Sequence, residues 1–446
     1  MAMPAENRHR VETDTIYALS SGAVPSGVAI IRLSGPAVRF ALETMTGGVP
    51  DARRARLAAL RHPDSGELID SALVLFFATP ASFTGEDVAE FHVHGGRAVV
   101  AALLAALACL PGCRPAEPGE FTRRAFEGGR LDLVEVEGLA DLIAAETESQ
   151  RRQALNAARG GLSQRADAWR SDIIKARAAI EADLDFADEE DVPATMADAA
   201  QTVAATLRDG IAAVLAEAGR GERVRDGLQV VLLGPPNAGK SSLLNAIARR
   251  DVAIVTAQPG TTRDVMEAHL DLDGYAVTLI DTAGLRQAAD EIEAEGIRRG
   301  RARAGAADLI IWLDDHGRAA PDEVRGFGAD ILTVASKADL GGGAGTAADL
   351  AVSVNDPASL RRLIDAIAGR AAASLGREPA LVTRARQRRC LEAAVAALTA
   401  ALTPGLPEEI VADHLRAAGD AVGRLSGRID VEDVLGDIFS SFCIGK

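Results

Sequence analysis

At 446 residues, with 48% apolar and 3% aromatic side chains, the chain has material for roughly two to four domains with their own cores. Its net charge of -16 argues against a broad nucleic-acid surface, because phosphate binding needs Lys and Arg. Four cysteines without a C-x-x-C pair argue against a disulfide framework or a zinc ribbon, and no second ligand pair follows Cys109 and Cys113.

The polar stretch Met1–Thr15 lacks the apolar core of a signal peptide, and the longest apolar run, Val99–Leu110, is too short to span a bilayer. A reduced, cytoplasmic chain with no membrane partner is expected. Residues 1–128 read as an α+β domain: Val28–Leu33, Ser71–Phe77 and Asp87–Val93 as strands, Pro36–Met45 and Ala98–Leu110 as helices. Arg32 and Glu90 fall at apolar positions of their strands, and buried charges need a partner or a ligand. His92 and His94 share a strand face, but without nearby cysteine or carboxylate spacing a structural role outweighs a metal site. Arg53–Arg56, Arg298–Arg303 and Arg384–Arg389 are local basic clusters that read as solvated helix faces and permit, without indicating, a nucleic-acid partner.

From Arg130 the character turns helical. Leu131–Ala182 is rich in Ala, Glu, Leu and Arg, with a break at Gly160-Gly161, and Met196–Ala218 continues the pattern. Helical composition returns from Arg384 to the end. Between them, the apolar strand Leu228–Leu233 runs into Gly234-Pro235-Pro236-Asn237-Ala238-Gly239-Lys240-Ser241 and then a helix beginning with Ser242. Strand, Gly-x4-Gly-Lys-Ser, helix is a P-loop: backbone N–H groups and the helix N-terminus cradle phosphates, Lys240 reaches the outer ones, and the Ser241 hydroxyl suits Mg²⁺. A chance glycine-rich turn would lack this flanking pair.

Further elements follow in the order of a doubly wound nucleotide domain. Thr262, in Gly260–Asp264, can complete the Mg²⁺ shell; strand Ala276–Ile280 ends in Asp281-Thr282-Ala283-Gly284. There Asp281 serves Mg²⁺ through water and the Gly284 N–H senses the γ-phosphate. Strands at Asp308–Leu313 and Ile331–Ala335 lead to Ser336-Lys337-Ala338-Asp339, where Asp339 accepts from the N1 and N2 donors of guanine, which adenine lacks; the nucleotide is GTP. Leu285 stands where Ras-like GTPases carry the water-orienting glutamine, so that function must come from elsewhere. The expected fold class is α/β plus α+β and all-α: an N-terminal domain (1–128), a discontinuous helical domain (129–225 and 377–446), and an inserted Ras-like P-loop domain (226–376).

Nearly the whole chain resembles the TrmE/MnmE family of tRNA modification GTPases. The likeness is carried by Phe83–Val88, Pro118–Phe121, Arg130–Leu133, the GTPase motifs and the octet Phe439–Lys446. It implies a homodimer formed through the N-terminal domain, which binds 5-formyltetrahydrofolate or a related folate. It also implies a heterotetramer with an FAD-dependent subunit that installs an aminomethyl-type group on the wobble uridine of certain tRNAs. Arg32, Glu90, Arg130 and Lys446 match the folate positions; Arg130 replaces the usual lysine. Asn237, with Thr256, Gln258 and Thr261, matches the K⁺ site, and Glu293 matches the residue that positions the hydrolytic water. Further GTP contacts are implied at Ala238, Gly239, Ser242, Thr282, Ala283 and Lys337. Ser336 departs from the usual Asn, and Ser353-Val354-Asn355 is a weak last guanine loop. Cys443 reads equally as a packed cysteine or as a thiol near the folate and uridine chemistry. Residues 1–12 have no counterpart in the family. Two other readings remain open: a GTP-switched ribosome-assembly factor, and a stand-alone folate-dependent aminomethyltransferase.

Overall fold

The computed structural model describes residues 14–185, 195–250, 252, 266–281, 302–341, 347–429, 435, 436, 438, 439, 442, 444 and 445. By backbone contacts the chain divides into two units, Met1–Ala140 with Ser426–Lys446, and Asp141–Leu425.

In the first unit the strands are β1 (Thr15–Leu19), β2 (Ser26–Ser34), β3 (Arg56–Arg61), β4 (Leu68–Phe77), β5 (Val88–Gly95) and β6 (Cys113–Pro115). They form one sheet in the order β3-β4-β5-β2-β1-β6. Period-2 alternation sends Ala29, Ile31 and Leu33 of β2 and Phe91 and Val93 of β5 to one face, with Val38, Leu42, Leu103 and Leu107 of helices α1 (Val38–Thr46) and α2 (Arg97–Ala108). The other face carries Ile30 and Arg32 of β2 with Glu90 and His92 of β5, in register as Ile30↔His92 and Arg32↔Glu90. Helix α3 (Glu120–Glu127) and the start of α4 (Leu133–Ala144) follow. Phe439 and Phe442 bury themselves with Val136, against Phe126 and Leu131. Gly445 sits at φ +99°, where a Cβ would lie 2.2 Å from the Leu19 carbonyl oxygen, so only glycine fits.

The second unit holds a helical group and a second sheet. Helices α5 (Glu148–Ala158) and α6 (Gly161–Asp185) part at Gly160, φ +78°, as the Gly160-Gly161 break predicts. Helix α7 (Thr195–Ala216) leads to α8 (Ala218–Asp226), and α6 and α7 pack with α12 (Ala385–Ala401) and α13 (Glu408–Leu425). The strands are β7 (Leu228–Leu233), β8 (Met266–Leu272), β9 (Tyr275–Asp281), β10 (Leu309–Asp314), β11 (Asp330–Ala335) and β12 (Leu350–Ala351), in the order β12-β11-β10-β7-β9-β8. All pair in parallel except β8, which is antiparallel to β9. Helices α9 (Lys240–Ala248), α10 (Asp322–Arg325) and α11 (Pro357–Leu375) complete the unit. Every residue of β9 is buried, as a strand covered on both faces requires. Among the described residues no helix is long and apolar enough to cross a membrane.

Candidate functional site

Strand β7 lies between β9 and β10, so strand order reverses on either side of it. Ligands of doubly wound sheets bind at such a point, outside the carboxyl ends of the strands. The loop 234–239 occupies that place. Gly234 has φ +153°, and a Cβ there would stand 2.1 Å from the Leu313 carbonyl oxygen; no other residue lets the loop pass β10 so closely. Asn237 and Gly239 are left-handed, and α9 opens at Lys240 with its first N–H groups unpaired within the helix. Lys240 is mostly buried, its Nζ donating to the Gly234 and Pro235 carbonyls at 2.9 and 2.8 Å. Ser241 Oγ donates to Asp281 Oδ2 at 2.5 Å, and Asp281 is fully buried at the end of β9. A hydroxyl and a carboxylate converging at a helix N-terminus are the hard oxygen donors that fit Mg²⁺.

Beside the loop, a cavity of about 220 Å³ is lined by Gly239, Ser242, Leu313, Ser336, Asp339 and Asn355 among others. Lys337 turns the chain at φ +54°, presenting Asp339 on a single 3₁₀ turn, Ala338–Leu340. Hydrogen bonds from Asn355 and then Ser353 hold the Asp339 carboxyl below the usual carboxylate range. The cavity is thus flanked by phosphate-cradling backbone at one end and a carboxylate at the other, the two poles of a nucleoside di- or triphosphate.

A separate polar cluster lies in the first unit. Arg32 donates through Nε and Nη2 to Glu90 Oε1 at 3.0 and 2.9 Å, and His92 Nε2 shares a 3.3 Å bond with Glu90 Oε2. The Arg32 guanidinium stands 5.5 Å from the Phe83 ring centre and 5.9 Å from that of Phe121. The side chain of Arg130 runs past Gly85 in the same Phe83–Val88 segment. That segment is fixed from below: Ser34 Oγ donates to Glu86 Oε2 at 2.6 Å, and Arg124 Nη1 reaches Glu86 at 3.1 Å. Arg124 and Arg114 also bind the fully buried Glu120, at 3.1 and 2.6 Å. Burial alone pushes the Glu120 carboxyl up, but the bonds from Arg114 and the Glu117 N–H, with Arg124 beside it, bring it below its ordinary value.

Two family descriptions match the chain: "GTP-binding protein TrmE N-terminus" over residues 15–130 and "MnmE helical domain" over 133–443. A protein of Azorhizobium caulinodans called tRNA modification GTPase MnmE is 52% identical over 97% of this chain and 99% of its own. Its namesake in Methylobacterium radiotolerans is 53% identical over 98% and 100%, and that of Beijerinckia indica subsp. indica 51% over 100% and 99%. The chain belongs to the MnmE family.

Of the positions that MnmE membership makes interesting, Asn237, Ala238, Gly239, Lys240, Ser241, Ser242 and Asp281 stand at one end of the candidate nucleotide site. Ser336, Lys337, Asp339, Val354 and Asn355 line the cavity at the other, and Ser353 Oγ accepts from the Asn355 N–H at 3.1 Å. Thr256, Gln258, Thr261, Thr262, Thr282, Ala283, Gly284, Leu285, Glu293, Cys443 and Lys446 lie outside the described residues. Arg32 and Glu90 meet, and they are each other's partner, which answers the need of two charges at apolar strand positions. Sequence reading missed His92 as a neighbour of Glu90, the two rings around Arg32, and the Glu86–Arg124–Glu120–Arg114 chain. Period-2 alternation along β5 was the available signal for the first. Nothing local announces the last, because Glu120-Phe121-Thr122-Arg123-Arg124 reads as an exposed helix.

Proposed function

We propose that this chain is a GTP-hydrolysing enzyme of tRNA modification. With an FAD-dependent partner subunit and a folate one-carbon carrier, it adds an aminomethyl- or carboxymethylaminomethyl-type group at C5 of the wobble uridine in certain tRNAs. The carrying observation is a nucleotide site with a P-loop at one pole and Asp339 at the other, in a chain 52% identical end to end with a protein called tRNA modification GTPase MnmE. The proposed division of labour keeps folate and dimer formation in 1–128, GTP in 226–376, and the helical support in 129–225 and 377–446.

In this reading the amides of 234–241 and Lys240 hold the β- and γ-phosphates, while Asp339 reads guanine. Ser241 and Thr262 would hold Mg²⁺, with Asp281 acting through water; Asn237, Thr256, Gln258 and Thr261 would hold K⁺. When bound, these cations neutralise the charge that develops on the phosphate oxygens. Leu285 has no group to orient water, so Glu293 does this. In the first unit, Oε1 of Glu90 takes both Arg32 bonds and Oε2 one longer bond, so Oε2 keeps acceptor capacity for the N–H edge of a pterin. Arg32, Arg130 and Lys446 are the cationic partners of the folate, and the Phe83 and Phe121 rings suit a flat heterocycle. Leu57, Leu73 and Val28 are 73%, 40% and 56% exposed, and Leu73 sits in register with His92. An apolar strip beside the polar cluster supports a second copy covering that face.

Mass analysis of wobble uridine in tRNA from cells lacking the chain tests the reading. Loss of the modification is expected. Intact uridine modification with altered ribosome profiles would select the assembly factor instead. Full modification by this chain without a flavin partner would select the stand-alone transferase.

A further inference from the structure

The guanine pole of the nucleotide cavity departs from the usual pattern at two positions, one visible as a missing hydrogen bond and the other as an added one. Ser336 follows β11 with its backbone N–H on the Asp314 carbonyl at 3.1 Å. Its hydroxyl is buried at the cavity wall and has no hydrogen-bond partner among the described residues. One C–O bond beyond Cβ is too short to tie this wall to a neighbouring loop. The next segment supplies a tie from the opposite side. Asn355 Nδ2 donates to Asp339 Oδ2 at 2.9 Å, across 16 positions of sequence.

Asn355 is itself held firmly. Its N–H donates to Ser353 Oγ at 3.1 Å, Val352 N–H donates to Ala335 O at 2.8 Å, and Ser359 Oγ donates to the Ser353 carbonyl at 3.1 Å. Asp356 then caps α11 through the Ala358 and Ser359 N–H groups. The amide therefore extends from a braced loop to a carboxylate carried on a single short turn.

We propose that Asn355 is a positioning residue for base recognition, fixing the Asp339 carboxylate in the orientation that reads the paired N–H edge of guanine. This rests on the reading that Asp339 contacts the base. A carboxylate has about four acceptor positions. Asn355 uses one on Oδ2 and the Ser353 hydroxyl takes another, so two remain for the two parallel donors of guanine. Without the tie, Asp339 rotates on its exposed turn and the paired geometry is lost in part of the population.

The test is titration calorimetry of the full chain with GDP, IDP and XDP. Asp339→Asn examines the underlying reading: loss of GDP with gain of XDP binding upholds it, and unchanged GDP binding removes it. Given that result, Asn355→Ala should weaken GDP about ten-fold, the scale of one charge-assisted hydrogen bond, and IDP by clearly less. IDP lacks the 2-amino donor and gains less from an aligned carboxylate. The GDP-to-IDP preference should fall. Asn355→Gln, which keeps the amide on a longer arm, should recover part of that preference. Equal weakening of GDP and IDP would mean that Asn355 only stiffens the loop, and unchanged GDP affinity would mean that it does nothing for the base. Either outcome overturns the proposal.

Discussion

The nucleotide site and the Arg32–Glu90 cluster solve the problem of ionised side chains in opposite ways. In the first, charges are spent on backbone and loops: Lys240 on two carbonyls of its own P-loop, Asp339 on the Asn355 amide and the Ser353 hydroxyl. An incoming nucleotide replaces the neutral carbonyls on Lys240 with charged phosphate oxygens, an exchange that favours binding, and adds its base to the acceptor positions that Asp339 has left. In the second, arginine and glutamate already neutralise each other at 2.9 Å, with both side chains under one-fifth exposed. A ligand there must share the pair, because removing either charge strands the other. The first arrangement suits a highly charged substrate, and the second suits a flat, mostly neutral ring that wants directional acceptors.

The largest effect is expected below the second site. Glu120→Ala takes the shared buried carboxylate from Arg114 and Arg124, leaving them on Asp14 and Glu86, at a cost of about 3 kcal/mol. Amide exchange in β1 and α3 should accelerate on the order of a hundred-fold, while a denaturation curve followed by Trp312 in the other unit stays put. The sign with pH follows from the depressed Glu120 carboxyl. Its stabilisation is complete above the ordinary 4.5 and disappears as pH falls through the lower folded value. The gap between parent and variant should therefore close in acid, and a gap constant down to pH 2 would contradict this account.

Next comes Glu293→Ala, with GTP turnover down roughly 10²-fold and GTP affinity little changed. Hydrolysis should be slow in Na⁺ and strongly stimulated by K⁺; equal rates in the two salts would remove K⁺ from the mechanism. Glu90→Ala should do the reverse of Glu293→Ala. Formyltetrahydrofolate binding should be lost and GTPase rate kept, and folate affinity at the parental level would displace the pterin from Glu90. The smallest effect is Ser336→Asn, expected to tighten GDP by about 1–2 kcal/mol through one or two added hydrogen bonds. An unchanged calorimetric constant would show that the buried hydroxyl already suffices.

How much could be read without coordinates differed in the same two places. The P-loop was legible because its chemistry depends on contiguous residues: a strand, a glycine-rich turn and a helix start within fourteen positions. Arg32 and Glu90 were legible as anomalies, charges on apolar strand positions, but not as partners. Their pairing follows from β2–β5 register across 58 residues, which periodicity does not fix. Strands β1, β3, β6, β8 and β12 were missed: β3, Arg-Leu-Ala-Ala-Leu-Arg, has helix-forming composition, and β6 and β12 span only three and two residues. There sheet pairing overrides propensity. The Asn355–Asp339 bond joins two loops whose proximity depends on β11 and β12 running parallel, so only the topology reveals it.

The contact of Ile444 with Pro118 and the tight approach of Gly445 to Leu19 set an order of events on the ribosome. The first unit cannot close until the pieces that fill it arrive, after all of 141–425 has been made. At roughly 5–20 residues per second that wait is on the order of tens of seconds, with β1 and α3 already outside the tunnel. The unit whose strands are made first is thus the one finished last. A chain without 426–446 keeps all of the residues of the second unit, while the first stays open to chaperones and proteases.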